Sequence, residues 1–129
     1  NYKESANAVL CPMIDARRME VYTALYQIAT RQRIGEVEAK IIDEHSFADI
    51  LAEQPMYFFG NGADKCKQVL KSNNAHFIRG VVPDAQYMGQ LAEQQTAQML
   101  DIKQVAYYEP FYLKEFVAAP SHIKGLETK

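Results

Sequence analysis

The chain has 129 residues, 48% hydrophobic and 23% charged, the size and make-up of one globular domain with a single core. A net charge of −2 at neutral pH supplies no global basic field, which argues against strong autonomous binding to nucleic acid. No apolar run approaches the roughly 20 residues of a membrane-spanning helix, and Cys11 and Cys66, far apart in sequence, read as reduced thiols of a cytoplasmic protein.

The first residue is Asn1, and the stretch NYKESANAVL is neither charged nor apolar enough for a signal peptide, so the expectation is a chain that starts in mid-protein. Residues 8–15, AVLCPMID, are apolar at both parities, with Val9, Cys11 and Met13 on one face and Ala8, Leu10 and Ile14 on the other. That predicts an inner strand covered on both sides, although Pro12 removes a ladder donor. Residues 19–28, MEVYTALYQI, are rich in β-formers and predict a second inner strand. The next run, IGEVEAKII, sets Glu36, Glu38 and Lys40 opposite Val37, Ala39 and Ile41, the alternation of an edge strand with one wet face. The linkers ARR and ATRQR are short enough for an antiparallel meander.

The pattern then changes period. Ser46 can cap a helix through FADILAEQ, which Pro55 stops. MYFF is a short apolar strand ending at Gly60-Asn61-Gly62, and ADKCKQVLKS then has helical spacing at Cys66, Val69 and Leu70. A brief HFIRG strand follows, and Asp84 caps a long helix to about Asp101 with Met88, Leu91, Ala92 and Met99 as its inner stripe. The order β-β-β-α-β-α-β-α with right-handed crossovers predicts an α/β domain with a mixed five-stranded sheet of order 3-2-1-4-5, the ribonuclease H-like unit of actin-like ATPase folds. Residues 107–129 form an aromatic tail, with Tyr107, Tyr108, Phe111, Tyr112 and Phe116 close together, that drifts into polar residues expected to be partly loose.

Several residues are candidates for chemistry in such a fold. Asp15, Asp49 or Glu53, and Asp64 stand where ribonuclease H-like enzymes gather carboxylates for two divalent metals, which makes a metal-dependent phosphodiesterase the alternative reading. Solvated helix faces and turns explain the same residues without chemistry. Arg17 and Arg18, in a hairpin lacking the glycines of phosphate-binding loops, are either a charged turn or cations for a phosphate or a partner's carboxylate. Gly60 and Gly62 either support a nucleotide or only make the turn. His45, His76 and His122 fit no metal-ligand spacing, and no nucleophilic triad is visible.

The stretches MIDARRMEVYTALY, FFGNGA and EPFYLKEF together resemble the C-terminal half of the TsaB family, also called YeaZ, glycoprotease-like proteins of bacterial tRNA threonylcarbamoyladenosine synthesis. The family usually reads D-A-R-x-G-E-V-Y, matched by Asp15, Ala16, Arg17, Glu20, Val21 and Tyr22, with Met19 in place of glycine. It commonly ends in P-x-Y-L-R, matched by Pro110, Tyr112 and Leu113, with Lys114 in place of arginine. The resemblance implies that residues 1–129 are the C-terminal actin-like domain of a two-domain protein whose upstream domain, of about one hundred residues, is absent here.

It also implies a non-catalytic subunit. Such a subunit pairs with a TsaD-type catalytic subunit, joined by a TsaE-type ATPase, in threonylcarbamoylation of the adenosine beside the anticodon. The H-x-x-x-H metal motif of the catalytic relative is missing from this sequence. The expectations that follow are no catalytic residue, no metal and no cofactor bound by this chain, with ATP in the full complex. Arg17, Arg18, Gly60 and Gly62 would mark a vestigial nucleotide region. Tyr22, Pro110, Phe111, Tyr112, Leu113 and Lys114 would face the partner or the other domain, and an apolar patch left open there would drive homodimers.

Overall fold

A computed structural model describes residues 6–95 and 106–114. The meander forms β1 (Val9–Asp15), β2 (Glu20–Gln27) and β3 (Arg33–Ile41). It is followed by α1 (Ala48–Glu53), β4 (Met56–Phe59), α2 (Ala63–Cys66), β5 (Ala75–Phe77) and α3 (Gln86–Gln95). The strands make one sheet of order β3-β2-β1-β4-β5, as a meander with right-handed crossovers requires. β1 and β3 run antiparallel to β2, whereas β1, β4 and β5 are parallel.

One face of the sheet carries the core. Val9, Cys11 and Met13 of β1, Val21 of β2, and Met56 and Phe58 of β4 are fully buried and pack with Leu51 of α1 and Ala63 and Cys66 of α2. The Phe58 ring lies 5.8 Å from that of Phe47 and 5.2 Å from that of Phe77. Burial of a side chain of this size contributes roughly 1.5–3 kcal/mol.

Pro12 fits an inner strand because the ladder has a gap there. The β1–β2 register runs through Leu10↔Tyr26 and resumes at Met13↔Thr23, while β2 is itself irregular against β3 between Thr23 and Leu25. A missing N–H costs nothing where no ladder bond is made. The Thr23 hydroxyl donates to the Pro12 carbonyl at 2.7 Å and satisfies it instead.

Four local expectations need correction. β1 is not covered on both sides: Leu10 and Pro12 are half-buried and Ile14 is half-exposed on the second face. Met88, Leu91 and Ala92 of α3 do not form an inner stripe but stand exposed, and Met99 lies outside the described residues. The start of the helix, at Tyr87, does reach the open face, where it lines a depression with Pro12, Ile14 and Phe59.

Ser46 does not cap α1. Its hydroxyl donates to the Asp43 carboxylate at 2.8 Å and accepts the Asp43 N–H at 3.0 Å, while Phe47 in a left-handed conformation, φ 61, precedes the helix. An aspartate five residues before the helix captures the serine for the turn. α2 is also shorter than its apolar spacing suggests. After Cys66 the chain tightens, Val69 N–H donating to the Cys66 carbonyl at 3.1 Å, and this turn still delivers Leu70 to the core.

Candidate functional site

The charged residues of the first hairpin lie at the end of β1, beside the start of α2. Ala16 N–H donates to the Glu20 carbonyl at 3.1 Å and Glu20 N–H to the Arg17 carbonyl at 3.0 Å, closing the turn. Arg17 and Arg18 are both left-handed, φ 74 and 46, a conformation that costs a non-glycine residue roughly 1–2 kcal/mol. Met19, where the resembled family usually has glycine, is not left-handed. The strain therefore falls on the two arginines, whose side chains are left in solvent.

The Gly60–Gly62 loop holds this hairpin from below. Asn61 Oδ1 accepts the Asp15 N–H at 3.0 Å, and Gly62 N–H donates to the Met13 carbonyl at 3.0 Å. Both glycines are there because backbone approaches backbone. A Cβ on Gly60, φ +98, would lie 2.4 Å from the Met13 oxygen, and one on Gly62 would lie 3.0 Å from the Asp15 nitrogen.

Two ion pairs complete the arrangement. Lys65 of α2 bonds the Asp15 carboxylate and also the Glu20 carbonyl, the latter at 2.6 Å. The Asp15 carboxylate accepts the Arg17 N–H at 2.9 Å as well. Lys65 foremost, and then that N–H, hold the Asp15 carboxyl below the usual carboxylate range. Lys114 reaches back across the chain to Glu20, at 2.9 and 2.7 Å from its two carboxylate oxygens, and Glu20 raises the Lys114 ammonium above its ordinary value.

Together these elements border an open pocket of about 630 Å³ lined by Ala16, Arg17, Arg18, Met19, Glu20, Ile41 and Lys114. Of the lining side chains Arg17, Arg18 and Lys114 are cations and Glu20 is the one carboxylate, so the pocket mouth suits an anionic group. A second open pocket, about 720 Å³, lies between Asp43, Glu44 and His45 and the Gln68–Ser72 turn. Its Asp43 carboxylate is already engaged by Ser46, which lowers the Asp43 carboxyl below its usual range.

The structure thus gathers Arg17, Arg18, Gly60, Gly62 and Lys114 about one strand end. Tyr22 lies on the open sheet face near it, paired with Ile14 and Ala39. Pro110, Phe111 and Tyr112 are exposed and Leu113 is half-buried, while Phe116 and the rest of the 107–129 tail beyond Lys114 lie outside the described residues. The carboxylates of the alternative reading disperse: Asp15 is held by Lys65, and Asp64 lies 4.0 Å from Arg79. Among the described residues, no group of three or more His, Cys, Asp or Glu side chains could hold a metal ion. Also among them, no helix is long and apolar enough to cross a membrane.

Lys65 is not singled out by the sequence, and Asn61 enters only as the middle of the Gly60–Gly62 turn. Their contacts span 50 and 46 residues, and the sequence signals neither.

No family model and no curated protein matches the chain. Among solved structures it is similar to a crystal structure of an uncharacterized protein with similarity to peptidase YEAZ from Pseudomonas aeruginosa, with a TM-score of 0.61 and 21% identity. The match covers 88% of this chain and 52% of the other, so this chain spans about half the length of that protein. At this identity the likeness establishes a shared fold.

Proposed function

We propose that this chain is a non-catalytic interaction module of the TsaB (YeaZ) type, supporting a TsaD-type catalytic subunit and a TsaE-type ATPase in threonylcarbamoylation of tRNA adenosine. One observation carries the reading beyond the fold. Two of the stretches that resemble the family, around Asp15–Tyr22 and Pro110–Lys114, are far apart in sequence yet meet through the Glu20–Lys114 ion pair. A basic residue ends the second motif for a physical reason under this reading: it ties the aromatic segment to the hairpin. The exposed Pro110–Tyr112 segment and the cationic pocket mouth then form one surface for a partner protein, with no side chain required to perform chemistry.

The test is reconstitution. TsaD- and TsaE-type subunits lacking their TsaB-type member receive the natural gene product that contains this sequence, this chain alone, or neither, and modified adenosine in tRNA is measured by nucleoside mass spectrometry. Modification that depends on the gene product is the expected result. No modification, with a complete control complex active, overturns the proposal and makes magnesium-dependent cleavage by Asp15, Glu53 and Asp64 the next assay.

A further inference from the structure

β3 is the outer strand of the sheet, and among the described residues no strand pairs with its far side. The Ile42 N–H donates to the Met19 carbonyl at 2.8 Å, continuing the register Glu20↔Ile41, Val21↔Lys40, Tyr22↔Ala39 and Thr23↔Glu38. In an antiparallel ladder the direction of the backbone groups alternates, so Glu38 and Lys40 bond inward to β2. Those of Val37, Ala39 and Ile41 point outward, unpaired.

The side chains alternate too. Glu38 and Lys40 share the helix-covered face with Thr23 and Val21, and the Lys40 ammonium lies 5.2 Å from the centre of the Phe47 ring. Val37, Ala39 and Ile41 share the open face with Tyr22, and Ile41 is 71% exposed. An outer strand with free backbone groups and apolar side chains is a template for another strand.

We propose that this edge binds β3 of a second copy of the chain, antiparallel about a two-fold axis through Ala39, joining the two five-stranded sheets into one. In this register Ala39 faces Ala39, Val37 faces Ile41, and Glu38 faces Lys40, with every outward N–H and carbonyl of those residues paired. Glu38 and Lys40 already approach to 3.4 Å within one strand, so the four charges at the seam alternate in sign around a square. They also occupy the non-hydrogen-bonded positions, where facing side chains are closest.

Other registers are worse. A shift by two residues sets Glu38 against Glu38 or Lys40 against Lys40, and a slip by one opposes inward-bonding to outward-bonding residues. A two-fold axis normal to the sheet also aligns the two open apolar faces into one continuous surface. This inference rests on the edge alone and stands whether or not the proposed subunit role does.

Sedimentation equilibrium of the chain and its variants tests it. The parent is expected to dimerise, approaching twice 14.7 kDa as concentration rises. E38K and K40E each place like charges at the seam and are expected to stay monomeric, whereas an equimolar mixture of the two again faces opposite signs and recovers the dimer. Ile41→Lys, at an exposed position where folding is not at stake, gives a third monomeric variant, with circular dichroism confirming the fold. A parent monomeric at every concentration, a dimer that survives these substitutions, or a mixture that stays monomeric overturns the proposal. Recovery on mixing E38K with the parent instead of with K40E overturns the register, because it places position 38 opposite position 38, the variant's ammonium against the parent's carboxylate.

Discussion

Gly60→Ala tests whether the Gly60–Gly62 loop clamps the end of β1. A methyl group at Gly60 would begin 2.4 Å from the Met13 carbonyl oxygen and 3.2 Å from its carbon. Met13 has no room to retreat: it is fully buried, its strand is paired on both sides, and its carbonyl accepts the Gly62 N–H at 3.0 Å. Two costs therefore combine. The left-handed backbone costs an L side chain about 1–2 kcal/mol. Opening the overlap from 2.4 Å to beyond 3.0 Å displaces the Gly62–Met13 bond, a further loss of about 0.5–1.5 kcal/mol. The sum, about 1.5–3.5 kcal/mol, is a large part of the 5–15 kcal/mol typical of a domain. Gly35→Ala is the control, since Gly35 has φ +72 but nothing within 4 Å of the added carbon, which leaves only the backbone cost. Urea unfolding with linear extrapolation compares the two variants. Equal losses would refute the reasoning, because they would mean that the loop does not press on β1.

Three further outcomes follow from the same geometry. Asp15 is held low by Lys65 and the Arg17 amide, so its contribution is present above the ordinary carboxylate range and is lost as pH falls through its lowered value; Asp15→Asn should flatten the acid limb of a melting-temperature profile, and parallel profiles would refute the pairing. Burial pushes the Cys11 thiol up to about 12, so stability is intact below the ordinary thiol value of 9.0 and declines as pH rises toward 12; a thiol reagent at neutral pH should label Cys11 and Cys66 only in urea, and prompt labelling of the folded chain would contradict their burial. Lys114→Met removes the only charge offered to Glu20 by residues 106–114, so amide exchange at Tyr112 and Leu113 should accelerate, and unchanged exchange would mean the ion pair does not hold that segment.

The sheet order was legible because the signals that set it are local: the two inner strands are apolar at both parities, β3 alternates, and each later strand ends in a turn. What the sequence could not show is which face a helix would cover. Alternation in β3 distinguishes Glu38 and Lys40 from Val37 and Ile41, yet the register turns the charged pair toward the helices and the apolar set outward, against the usual sense. Ser46 misled for a related reason, since a serine before a helix is equally suited to an aspartate three residues earlier. The site was half legible. Arg17, Arg18, Gly60 and Gly62 announce themselves by residue type at turns, whereas Lys65, Asn61 and the Glu20–Lys114 pair depend on contacts that no period or motif encodes.

The distribution of commitments at the hairpin is the one that the proposed non-catalytic role needs. A general base or metal ligand needs a carboxylate with free lone pairs facing the reacting group. Asp15 is engaged by an ammonium and a backbone N–H, and Glu20 meets Lys114 through both oxygens. Arg17 and Arg18 are the reverse case: their backbone is fixed in an unfavourable conformation by the turn bonds and by the loop beneath, while their guanidinium groups are left unspent at the pocket mouth. Strain of this kind persists only where the surroundings over-determine it, and here they do so through Asn61, Gly62 and Lys65. The same contacts that engage the carboxylates leave the arginine side chains exposed, which is what the proposed docking of an anionic partner group needs.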